Sequence, residues 1–137
     1  MSESPLTQAD AERVLERFYR CNDGVIRRVD LVFEPNRDDS SATIVCSVKD
    51  DAAGAEWVNV IFRVHGLREL AMTEGRVSYR VLSDGLTVGW FEGLVFLDFG
   101  PYTSEPDGVG DFRRSGCFFA GLSATWEVVP YAESPQR

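Results

Sequence analysis

Histidine and lysine are almost missing from this chain: His65 is the one imidazole and Lys49 the one ammonium side chain among 137 residues. A single histidine excludes HExxH and multi-histidine metal sites, which need at least two imidazoles. It leaves room for a Ser–His or Cys–His nucleophile, where one imidazole suffices as base. No CxxC occurs among Cys21, Cys46 and Cys117, so structural zinc has no basis in the spacing. An odd thiol count without a secretory leader fits free cysteines rather than a disulfide framework. Long apolar runs are missing too. The longest are about five residues, as in "GLVFLDFG", where a membrane span needs roughly 20. The opening "MSESPLTQAD" has no basic segment followed by an apolar one, so a cytoplasmic location is expected.

What remains is an acidic, ordinarily hydrophobic chain. Its 44% apolar content suits one globular domain over 1–137 with a sizeable core. The formal charge is −8, unevenly placed: residues 1–37 hold 7 acids and 6 bases, while 38–137 hold 15 acids and 8 bases. Such a balance opposes phosphate backbones and anionic lipids, so neither nucleic acid nor membrane is expected as a partner. A basic protein is.

The hydrophobic period divides the chain in two. In "LTQADAERVLERFYRC", Ala11, Val14, Leu15 and Phe18 recur at helical spacing, with Thr7 and Asp10 as capping residues. An amphipathic helix over about 7–21 follows, its Arg13, Arg17 and Arg20 on a solvated face with Glu16 paired to Arg20, and "CNDG" as its stop. From Val25 the period is two. "GVIRRVDLVF" places Val25, Val29, Leu31 and Phe33 on one face, with Arg27 as the exception. "SATIVCSV" places Ala42, Ile44, Cys46 and Val48 together, and "EWVNVIFRVHG" sets Val58, Val60, Phe62 and Val64 against Trp57, Asn59, Ile61, Arg63 and His65. Further strands are read in "RVSYRVL", "GLTVGWFE", "GLVFLDF", "CFFAG" and "SATWEVVPY", with "SDG" and "EG" as hairpin turns. The connections are too short for helical crossovers. The expected fold is α+β, mainly β: an antiparallel sheet, sandwich or partly open barrel of seven to eight strands with one N-terminal helix.

Few residues suggest chemistry. "EPDGVGDFRRSG" lacks the Gly-Lys-Ser/Thr ending of a P-loop, and Glu105, Asp107 and Asp111 lack the terminal Glu and flanking helices of a calcium loop. It reads as a metal-free connection over 101–111. His65 ends a strand before Gly66 and is a candidate base. Asp98 shares a strand face with Leu94 and Phe96, where a carboxylate must be paired or have its pKa raised. Arg80, Arg113 and Arg114 are candidate ion-pair partners for it. Glu92, roughly 20 Å along the same strand, is too distant to act as a second carboxylate. Arg113 and Arg114 also stand near Cys117, whose thiol reads as a small buried apolar group. Trp57, Trp90, Tyr102 and Trp126 are candidates to line a contact surface, and Arg63, Arg113 and Arg114 are further candidate partner contacts.

The order "CNDGVIRRVDLVF", "EWVNVIFRVHGLREL", "YRVLSDGLTVGWFEGLVFLDF" behind a helix resembles small β-rich bacterial proteins of the immunity type, with an Imm50-like pattern. "FRVHGLREL", with Phe62, Gly66, Leu67 and Leu70, stands for that pattern's second element, and Asn22 takes the place of its usual histidine. The resemblance covers about residues 20–100. It implies neutralisation of a toxin by binding, without catalytic residues or a cofactor. The competing expectation is a small-ligand-binding barrel or small enzyme with a site around His65, Asp98 and Arg113.

Overall fold

The computed structural model describes residues 3–73 and 81–131. Its strands are β1 (Ser4–Pro5), β2 (Gly24–Val32), β3 (Ser41–Asp50), β4 (Glu56–Met72), β5 (Val81–Leu82), β6 (Thr87–Phe91), β7 (Leu94–Asp98) and β8 (Cys117–Pro130), with short helices α1 (Ala11–Arg17) and α2 (Val109–Arg113). All described pairings are antiparallel, in the order β5-β2-β3-β4-β8-β7-β6, with β1 paired to β8. The sheet curls into a half-barrel. The expected class is what is found.

The alternation in β3 and β4 places the core as read. Ala42, Ile44, Cys46, Val48, Val58, Val60, Phe62 and Val64 are buried on one face, in one core with Val14 and Leu15 of α1 and with Phe18 just after it. Strands β4 and β8 are the longest and contribute to this core from Val58 to Leu67 and at Cys117, Phe119, Ala124 and Val128. Neither stops where the sequence suggests: β4 runs through Gly66 to Met72, so His65 lies within it, and "CFFAG" and "SATWEVVPY" form one strand. The pair bends where β4 slips register between Leu67 and Glu69. Gly66 sits there at φ +65, and a Cβ on it would meet the Leu122 side chain at 2.8 Å.

Three further expectations are corrected. The helix is shorter than 7–21, because Tyr19, Arg20 and Cys21 turn left-handed at φ 54, 56 and 61. Each such non-glycine residue costs roughly 1–2 kcal/mol, so packing has to hold the turn. It does: Cys21 is fully buried, and the Arg20 carbonyl accepts the Leu86 amide at 2.9 Å. Arg20, outside the helix, pairs with Glu12 rather than Glu16, and Arg17 reaches across to Asp50. In β2 a bulge between Ile26 and Arg28 shifts the alternation, so Ile26 rather than Val25 joins Val29 on the core face, and towards the strand's end Leu31 and Phe33 are exposed. Arg27, the exception in the pattern, marks that bulge. Finally, Glu92 and Gly93 do form the two-residue turn of a hairpin, β6–β7, whereas Ser83–Gly85 joins β5 to β6, which do not pair. Most of the strand read in "RVSYRVL" lies outside the described residues.

Candidate functional site

The outer face of the sheet gathers a polar cluster. Arg63, His65 and Thr125 alternate outward from neighbouring β4 and β8, and β1 brings Glu3 beside them. The Arg63 guanidinium donates to Glu3 at 2.8 Å and to Glu127 at 3.1 Å, and the Thr125 hydroxyl donates to Glu3 at 2.6 Å. Hydrogen bonds from Thr125 and then Arg63 hold the Glu3 carboxyl below its ordinary range. His65 Nε2 stands 3.4 Å from the Thr125 hydroxyl and 3.9 Å from Glu3. Among the described residues the His65 ring meets Thr125 and Glu3 rather than a serine or cysteine nucleophile, and these neighbours pin the N-terminal strand to the sheet.

Asp98 lies elsewhere, at the end of β7, only 2% exposed. Residues 99–116 leave the sheet after it, return at β8, and cover a second small core of Phe96, Phe112, Phe118 and Ala120. Phe112, carried by α2, stacks on Phe96 with ring centroids 4.7 Å apart. The segment read as a bare connection over 101–111 therefore ends in a helical turn with a buried aromatic. Asp98 holds both of its ends: Oδ1 accepts the Gly100 amide at 3.0 Å, and Ser115 supplies a side-chain hydrogen bond. Burial pushes the carboxyl up to about 6 against those hydrogen bonds. Neither Arg113 nor Arg114 pairs with it, and Arg80 lies outside the described residues. Arg113 makes a bidentate pair with Glu69 at 2.9 and 2.7 Å, and Arg114 lies over the Tyr102 ring at 4.5 Å. Within the loop, Asp111 accepts the Asp107 amide at 2.9 Å, a turn-stabilising role.

His65, Asp98 and Arg113 thus have separate partners in separate settings, and none of them lines the open groove of about 600 Å³ that lies between the Phe33–Ser40 loop and β4. Trp90 and Trp126 are half-buried against the main core, whereas Trp57 and Tyr102 are exposed. The three cysteines are buried and none forms a disulfide. Burial raises Cys21 to about 12 and raises Cys46 well above its ordinary value, with the Cys21 and Cys117 thiols adding to the effect at Cys46. These are poor nucleophiles.

Two features escaped sequence reasoning. One is the groove, whose walls come from the loop that follows β2 and from β4 around its bend. The other is a rim at the β3–β4 turn. There Tyr19, presented by the left-handed turn, donates its hydroxyl to Asp51 at 3.1 Å, and Trp57 follows Glu56 at the start of β4. Asp23 and Asp84 flank the same end, next to Leu82 and Gly85. Both aromatics are 41% exposed. No helix among the described residues is long and apolar enough to cross a membrane. No protein-family model, curated protein or solved structure matches the chain.

Proposed function

We propose that the protein acts by binding a basic protein partner and performs no chemistry on it. The resemblance to immunity-type proteins makes that partner a toxin, met in the cytoplasm, where buried reduced thiols are at home. The supporting observation is how charge is spent within the fold. Arg13, Arg17, Arg20, Arg28, Arg63, Arg68 and Arg113 each face a carboxylate of the same chain. The exposed carboxylates of Asp23, Asp51, Glu56 and Asp84 have no cationic partner among the described residues. They set an excess of negative charge around the exposed rings of Tyr19 and Trp57, where Lys49 stands over the Trp57 ring at 5.9 Å. Aromatic anchors beside an excess of one sign of charge suit a partner carrying the other sign.

Affinity capture from the native lysate tests this. A basic protein retained at about 50 mM salt and released at about 500 mM is the expected result, since screening weakens exposed charge pairs. Finding no salt-sensitive basic partner, together with turnover of a small molecule abolished by His65→Ala or Asp98→Asn, refutes it.

A further inference from the structure

We propose that the groove between the Phe33–Ser40 loop and β4 is a binding site for a small apolar amino acid, separate from the acidic rim. Its apolar surface comes from Phe33, Leu67, Leu70 and Phe118. Phe33 stands uncovered in the lining, 70% exposed, and the Leu31 and Val32 that precede it in β2 are exposed too. Three consecutive exposed apolar residues are unusual on a soluble surface unless something covers them. The volume of about 600 Å³ falls in the range of small-ligand sites.

The charges around the groove select the ligand. Four charged side chains line it: Glu34, Arg37, Arg68 and Glu69. Two are already neutralised, Arg68 by Asp38 and Glu69 by the bidentate Arg113. The Glu34 carboxylate and the Arg37 guanidinium have no ion-pair partner among the described residues, not even each other. One free anion and one free cation, three positions apart, border an apolar floor. The complement is a molecule with an ammonium for Glu34, a carboxylate for Arg37 and an apolar body, which is an apolar α-amino acid.

The wall is built rather than loose. The Ser40 hydroxyl accepts the Glu34 amide at 2.9 Å, and the Asn36 side chain accepts the Asp38 amide at 3.0 Å. Asp38 is latched to Arg68, whose other nitrogen donates to the Gly66 carbonyl at 3.0 Å. A preformed wall saves the ordering cost that would otherwise oppose a small ligand.

The test uses the full chain and L-phenylalanine as probe, followed by NMR chemical-shift titration. Saturable shifts confined to the loop 33–40, residues 67–70 and Phe118 are expected. N-acetylphenylalanine, which lacks the cation, and phenylalaninamide, which lacks the anion, should each bind about 2- to 5-fold more weakly, as expected for one exposed charge pair. Glu34→Gln and Arg37→Gln, both at exposed positions, should reproduce those losses for phenylalanine itself. Absence of saturable binding, equal binding of all three compounds, or unchanged affinity in both variants overturns the proposal. None of these outcomes bears on the acidic rim, whose residues lie outside the groove.

Discussion

Replacing Asp98 by Asn removes a charge from beneath the 99–116 excursion while keeping the side chain's shape. The amide oxygen can still accept the Gly100 N–H, and its nitrogen can donate to Ser115. Burial holds the Asp98 carboxyl at about 6, against an ordinary 3.8. The protonated form is thus favoured by folding. Its contribution is complete below pH 3.8 and is lost as the pH rises through about 6. At ~1.4 kcal/mol per pH unit the difference has an upper figure of about 3 kcal/mol, and solvent screening at the loop margin brings it to roughly 1–3 kcal/mol. Asp98→Asn should therefore be more stable than the parent by that amount at about pH 7.5, and equal to it at about pH 3.5. Urea unfolding of both proteins across this range measures the gap. A variant that matches the parent at about pH 3.5 but becomes less stable than it as the pH rises would show that the ionised carboxylate supports the loop, and would refute the reasoning.

Phe112→Ala removes the ring stacked on Phe96 from a core of few residues, and should cost about 3–5 kcal/mol and open the 99–116 segment to limited proteolysis. Gly85→Ala should destabilise by at least about 1 kcal/mol in thermal melts, because Gly85 sits at φ +74 and a Cβ there would stand 2.4 Å from the Arg20 carbonyl oxygen. Cys21, Cys46 and Cys117 should resist a thiol reagent in the folded protein and all react once it is unfolded, since each is fully buried.

Where side-chain period alone decides placement, the sequence is legible. Ile44, Cys46, Val60 and Phe62 alternate strictly and all face the core, because a strand with one buried face tolerates no slip. Legibility ends where the backbone departs from regular geometry. Arg27 interrupts a period of two, and only the structure shows that a bulge there sets Ile26 on the core face together with Val29, while the groove is walled by the loop beyond Val32, which no period announces. The left-handed turn at Tyr19–Cys21 carries no glycine to announce it, since tertiary contacts to Leu86 and Asp51 hold it. Asp98 stands out in sequence as a carboxylate in an apolar strand. Its partners Gly100 and Ser115 do not, because chain reversal over 99–116 brings them together.

The most direct test of binding through the acidic rim compares the parent with a variant carrying Asp23→Asn, Asp51→Asn, Glu56→Gln and Asp84→Asn. All four residues are exposed, and the replacements keep their shapes, so the fold should survive and circular dichroism can verify it. Both proteins are immobilised and offered the same native lysate at about 50 mM and about 500 mM salt. The expected result is a basic protein held by the parent at low salt and lost by the variant at either salt. A partner retained equally by a folded variant, or one indifferent to salt, contradicts recognition by this rim.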